Sequence, residues 1–217
     1  RRAKTDASRA LQRVNLFGPG KRLYAITPET SDTDALLKQC RAVLQAGVAA
    51  LQYRSKQAGL RREQAFALQA LCQEFSTALI INDDWQLACE LGAAGVHLGR
   101  DDDAVREVRA GFSGFIGATC HDSLGAARDA QAAGADYVAF GSFFSSVVKP
   151  DAVRAPLPLL SAAKRTLKVP IVAIGGITLD NAAVLRAAGA DAVAVISAIF
   201  SAHDPGERVA QFNQALQ

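Results

Sequence analysis

Charged and amide side chains recur in this sequence just behind short apolar runs. Gln52, Arg54 and Lys56 are spaced by two, which puts side chains on one side of an extended chain. An amide inside an apolar run must be hydrogen-bonded, either by an interior neighbour or by a ligand. The two cations beyond it suit phosphate oxygens. Asn82 and Asp83 follow another apolar run, and Asp102 follows the next. Carboxylates on two adjacent loops suit a Mg²⁺ ion shared with phosphate oxygens and water; aspartate there equally suits helix N-capping. Gly175-Gly176 follows the seventh apolar run, and Ile196-Ser197 ends the eighth and leads into a helix. There, backbone N–H groups and a helix start form a phosphate nest, or the glycines serve a simple turn. Residues 141–151 form the longest connection and read as a lid. Its Lys149 is either a third cation at the site or a solvated surface lysine. His121, beside Cys120, is either a general base or a hydrogen-bonded loop residue.

Together these residues describe two anion pockets. One is cationic and metal-assisted, built from Arg54, Lys56, Lys149, Asp83 and Asp102. The other is a neutral backbone nest at Gly176, Ile196 and Ser197. The pair suits two phosphorylated groups, one of them a diphosphate accompanied by Mg²⁺. No Cys–His–Asp spacing demands covalent catalysis.

The elements that must position these groups are announced by an internal repeat. Ala46-Gly47-Val48, Gly92-Ala93-Ala94-Gly95, Ala133-Gly134-Ala135-Asp136 and Ala188-Gly189-Ala190-Asp191 each end a helical pattern and open a β-branched or aromatic run. Glycine there fits a left-handed helix end. The repeats lie roughly 40–55 residues apart, about twice a βα unit, so intervening strands are expected. Apolar runs supply them at 23–26, 49–53, 78–81, 95–98, 115–118, 137–140, 171–174 and 192–196. Near-continuous apolar runs mark parallel strands covered on both faces. Helical patterns lie between them at 35–46, 62–75, 123–133, 157–166 and 179–188. The alternation predicts a (β/α)₈ TIM barrel over residues 21–217, with a doubly wound open sheet as its rival. In a barrel the candidate residues fall on the loops at the C-terminal strand ends, except Gln52 and Ile196, which lie on the strands themselves. Residues 1–20 read as an N-terminal arm or linker.

Composition narrows the function classes. The chain has 217 residues, half of them apolar, and a net charge of +3, too slight for a nucleic-acid footprint. No apolar run reaches the ~18 residues needed to span a bilayer. Cys40, Cys72, Cys89 and Cys120 are widely spaced and read as free thiols of a cytoplasmic protein. The chain opens on Arg1-Arg2-Ala3-Lys4 without methionine, which reads as a processed product or a domain cut from a longer protein.

At its site residues the sequence resembles the thiamine phosphate synthase family and its thiazole tautomerase relatives. The resemblance rests on Leu23-Tyr24-Ala25-Ile26-Thr27, Gln52-Tyr53-Arg54-Ser55-Lys56, Ile81-Asn82-Asp83, Gly95-Val96-His97-Leu98-Gly99, Ala173-Ile174-Gly175-Gly176-Ile177 and Ala194-Val195-Ile196-Ser197-Ala198-Ile199. It implies that Gln52, Arg54, Lys56 and Asn82 hold a pyrimidine diphosphate, and that Asp83 and Asp102 bind Mg²⁺. It also implies that Lys149 meets the departing pyrophosphate and that Thr119 stands where the family usually has serine. Gly176, Ile196 and Ser197 would cradle a thiazole phosphate, with Ser146 and Val148 lining its loop. The chain departs from the pattern at Ser145-Ser146-Val147-Val148-Lys149, where the family usually has Pro-Thr-x-Thr-Lys. Arg100 replaces a usual glutamine and Asp84 a usual arginine. Two other readings remain open: a thiazole tautomerase using His121, and a non-catalytic thiazole-phosphate-binding regulatory domain fused behind a Nudix hydrolase. A homo-oligomer is equally compatible with the chain. The expected partners are small molecules, not nucleic acid or membrane.

Overall fold

The computed structural model describes residues 16–18, 20, 22–99, 105–145 and 154–217. Asp102, Ser146, Val148 and Lys149 lie outside the described residues, as do Arg100 and residues 1–15 of the expected arm. Eight parallel strands close into a barrel in sequence order. They are β1 (Leu23–Ile26), β2 (Ala50–Tyr53), β3 (Ala78–Asn82), β4 (Gly95–Leu98), β5 (Phe115–His121), β6 (Tyr137–Phe140), β7 (Ile171–Ile174) and β8 (Ala192–Val195). The pairing of Leu23 with Val193 and of Ala25 with Val195 joins β1 to β8, which excludes the open sheet. Around the barrel stand α1 (Thr33–Ala46), α2 (Ala58–Glu74), α3 (Trp85–Leu91), α4 (Val105–Gly111), α5 (Leu124–Ala133), α6 (Pro158–Thr166), α7 (Leu179–Ala188), α8 (Ser197–Phe200) and α9 (Pro205–Ala215). No helix among the described residues is long and apolar enough to cross a membrane.

Strand parity divides the core in two. Leu23, Leu51, Leu79, Val138 and Val193 pack outward beneath the helices, whereas Tyr24, Ile26, Ala50, Ile80, Tyr137, Val172 and Ala194 fill the barrel. Phe17, from the expected arm, is 2% exposed and packs against Tyr24 and Tyr137, with ring centroids 5.4 and 5.2 Å away.

The repeat has two physical jobs. Gly134 and Gly189 end α5 and α7 at φ 104° and 120°, a region costly for residues with a Cβ. The aspartate two residues on stitches neighbouring strands together. Asp136 Oδ2 accepts the Ile116 N–H at 2.8 Å, and Asp191 Oδ2 accepts the Ile171 N–H at 2.9 Å. Each carboxylate also meets a cation from a preceding helix, Arg109 for Asp136 and Lys164 for Asp191.

The four cysteines are free, and Cys40, Cys72 and Cys120 are buried. Burial pushes the Cys72 and Cys120 thiols up to about 12 and raises Cys40 further, so they stay protonated and poorly nucleophilic. Cys89 is exposed. A disulfide-exchange reagent is therefore expected to titrate one thiol in the native chain and four after unfolding. Fast native titration of a second thiol would contradict this packing.

Candidate active site

Parity also decides which polar groups reach the barrel interior. Gln52 lies on the inward face of β2 with Ala50, and Asn82 lies on that of β3 with Ile80. His97 on β4 pairs in register with Asn82 and with Gly117 of β5, and Thr119 follows Gly117 by two. Four consecutive strands thus place an amide, an amide, an imidazole and a hydroxyl on one inner arc. Sequence reasoning quoted His97 within a motif but gave it no role. Counting parity from Ile80 through Asn82 to its register partner would have found it.

The second strand ends at Tyr53, so Gln52 lies within it and Arg54 and Lys56 lie just beyond its end. Gln52 is 2% exposed and its Nε2 donates to the Tyr24 hydroxyl at 2.7 Å. It therefore has the interior partner that a buried amide needs. Arg54 is half-buried, and its N–H donates to Thr27 Oγ1 at 3.1 Å. Lys56 is exposed, and its N–H donates to both carboxylate oxygens of Glu29, at 2.9 and 3.0 Å. Ser55 Oγ also donates to Glu29, at 3.0 Å. Glu29 is a second residue that sequence reasoning missed: it pins the loop carrying the two cations. Lying about 26 residues away, it left no local signal.

The helix-capping alternative for the third loop falls on Asp84. Its Oδ1 accepts the Leu87 N–H at 2.9 Å, and its carboxylate pairs with Arg61 at 3.4 Å. Asp83 instead sits at φ 65° with its side chain exposed. Its N–H donates to the His97 carbonyl at 2.8 Å, and Asn82 Nδ2 donates to its Oδ2 at 2.5 Å. Left-handed backbone at a non-glycine residue is strained, and such strain gathers at functional sites. An exposed carboxylate at the C-terminal end of a barrel strand is a hard oxygen donor that fits Mg²⁺ binding, in which one or two carboxylates share the ion with phosphates and water. Among the described residues no three His, Cys, Asp or Glu side chains form a metal cluster, and Asp102 lies outside them.

The fifth strand runs to His121 instead of ending at Ala118, with a register irregularity between Thr119 and His121. Thr119, Cys120 and His121 are thus strand residues, not loop residues. Thr119 meets His97 Nε2 at 2.9 Å, Cys120 turns into the outer core, and His121 is exposed at φ 49°. Beyond β7, Gly175 and Gly176 adopt φ 102° and 62°. A Cβ on Gly176 would lie 2.3 Å from the Ser145 carbonyl oxygen, so the turn also needs glycine for close packing against the preceding loop. Ile196 caps the start of α8 instead of ending β8, and Ser197 is the exposed first residue of that helix.

A closed parallel barrel with its amides, cations and carboxylate gathered at the C-terminal strand ends defines a (β/α)₈-barrel enzyme. Comparison with known proteins makes this specific. The sequence profile of the family described as thiamine monophosphate synthase matches residues 23–199, and the chain belongs to that family. It is 53% identical over 196 residues to a thiamine-phosphate synthase of Thiobacillus denitrificans, covering 88% of this chain and 93% of that protein. It is 54% identical over 200 residues to one from Methylobacillus flagellatus, covering 90% and 95%. Among solved structures, thiamine phosphate pyrophosphorylase from Pyrococcus furiosus superposes with a TM-score of 0.82 at 32% identity, covering 91% of this chain and 96% of that one.

Proposed function

We propose that this chain is a thiamine phosphate synthase, joining 4-amino-2-methyl-5-hydroxymethylpyrimidine diphosphate to a thiazole phosphate and releasing pyrophosphate. The observation that carries the reading is the polar inner arc of Gln52, Asn82, His97 and Thr119, flanked by Arg54, Lys56 and Asp83. Gln52, Asn82 and Thr119 of this arc offer a heteroaromatic ring hydrogen bonds at its edge, with both His97 ring nitrogens engaged by Tyr137 and Thr119, while cations await a diphosphate beside it. The bond from the pyrimidine's methylene carbon to the diphosphate oxygen breaks, and its electron pair leaves with pyrophosphate. The thiazole nitrogen then gives its lone pair to that carbon, so the positive charge ends on the thiazolium ring and no proton is exchanged. Arg54, Lys56 and Lys149 stabilise the charge growing on the leaving group, which is where preorganised electrostatics contribute most. Glu29 supports this by fixing the backbone that carries Lys56. Asp83, with Asp102, would hold Mg²⁺, which when bound neutralises part of the diphosphate charge. Gly176, Ile196 and Ser197 hold the thiazole phosphate on backbone N–H groups, with Ser146 and Val148 at its loop. The protein needs no nucleophile, because the substrate supplies one.

The metal assignment predicts that chelation abolishes turnover and that added Mg²⁺ restores it. Full activity in excess chelator would overturn it.

A further inference from the structure

Gln52 and Thr119 are far apart in sequence, yet one buried hydrogen-bond chain joins them through the barrel interior. Gln52 Nε2 lies 2.7 Å from the Tyr24 hydroxyl, which lies 2.9 Å from the Tyr137 hydroxyl. The Tyr137 hydroxyl lies 3.1 Å from His97 Nδ1, and His97 Nε2 lies 2.9 Å from Thr119 Oγ1. Tyr24 and Tyr137 are each 1% exposed, Phe17 covers both rings, and His97 stacks on Tyr137 at 5.6 Å. Gly117 makes room for this packing: a Cβ there would lie 2.1 Å from the Tyr137 ring.

Counting protons gives the chain a direction. An amide nitrogen can only donate, so the Tyr24 oxygen accepts from Gln52. The single hydroxyl proton of Tyr24 then goes to Tyr137, since a buried donor left unpaired is costly. Tyr137 in turn spends its one proton on His97 Nδ1. An Nδ1 that accepts leaves the ring proton on Nε2, which donates to Thr119 Oγ1. The Thr119 hydroxyl proton remains for a ligand.

We propose that Tyr24, Tyr137 and His97 are positioning residues that hold His97 as its Nε2–H tautomer and thereby make Thr119 a hydrogen-bond donor to the pyrimidine substrate. Burial keeps both phenols protonated well above their ordinary range, so each tyrosine retains the proton that the relay assigns to it. The identity of the ligand at Thr119 rests on the synthase reading; the tautomer of His97 does not.

The test uses the full chain labelled with ¹⁵N-histidine. The chain has three histidines, and His97→Gln identifies the signals of interest by their loss. Long-range ¹H–¹⁵N correlation is expected to show His97 protonated at Nε2 and bare at Nδ1. Protonation at Nδ1 would mean that the chain runs the other way and would overturn the proposal, whatever the protein's activity. Tyr137→Phe keeps the ring and removes the relay. It is expected to raise KM for the pyrimidine diphosphate about tenfold, the cost of one hydrogen bond, while KM for the thiazole phosphate moves less than about twofold. Tyr24→Phe breaks the chain one link earlier, gives the same split, and serves if Tyr137→Phe does not fold. An unmoved KM for the pyrimidine diphosphate in a folded variant would overturn the positioning role. The Nε2–H tautomer in a chain without synthase activity would uphold the relay and refute the synthase reading.

Discussion

Asp83→Asn lowers turnover by at least about a hundredfold, the cost of removing a group that stabilises charge only as it develops, and leaves the barrel folded. Asparagine is the sharper substitution because it tolerates the left-handed backbone found at φ 65° while removing the negative charge. Asp83→Ala loses the same activity but also places a Cβ-bearing residue without a polar side chain in that conformation, costing about 1 kcal/mol of stability. The two variants together separate chemistry from strain. Steady-state turnover and thermal melting check them. An Asp83→Asn protein with near-normal turnover would remove this carboxylate from the metal site.

Asp136→Ala is expected to cost about 3 kcal/mol, because it strands a largely buried arginine and the Ile116 N–H at once. The Arg109 and Asp136 side chains are 21% and 12% exposed, and the same guanidinium also donates to the carbonyls of Phe112, Gly114 and Gly134. At this chain length that destabilisation lowers the melting temperature by about 6–12 °C. Asp191→Ala is the matched control. It loses the same kind of strand-end acceptor, but its partner Lys164 is 53% exposed, so the cost falls to about 1 kcal/mol. Equal losses at the two positions would contradict the distinction drawn between a buried and a solvated pair.

These two aspartates show how far the sequence could be read. The Ala-Gly-Ala-Asp segments announced both the helix ends and the period, and the eight strands lie within a few residues of the apolar runs. Closure was not legible, because it depends on Leu23 pairing with Val193 across nearly the whole chain. At the site, the clustering of candidate residues beyond the strand ends followed from the barrel alone. Their individual roles depended on where each strand stops. Alternation grouped Gln52 with Arg54 and Lys56; the strand ends at Tyr53, and of the three only Gln52 is fully buried. Asp83 suited metal binding and helix capping equally well; the backbone gives the cap to its neighbour Asp84 and leaves Asp83 exposed. The fifth strand continues in register through Thr119, which pairs with Ala139 beyond the end of the apolar run that announced the strand. The links least visible in sequence were Glu29 with Lys56, which meet on the loops after two paired strands, and the tyrosine relay, which the closed barrel brings together.

The most direct test of the synthase account is a stoichiometric one. The chain is incubated with Mg²⁺, the pyrimidine diphosphate and the thiazole phosphate, and thiamine phosphate and pyrophosphate are measured in the same samples. The account predicts that the two products appear in equal amounts, and that neither appears when the thiazole phosphate is omitted. Tight thiazole-phosphate binding without either product would contradict it.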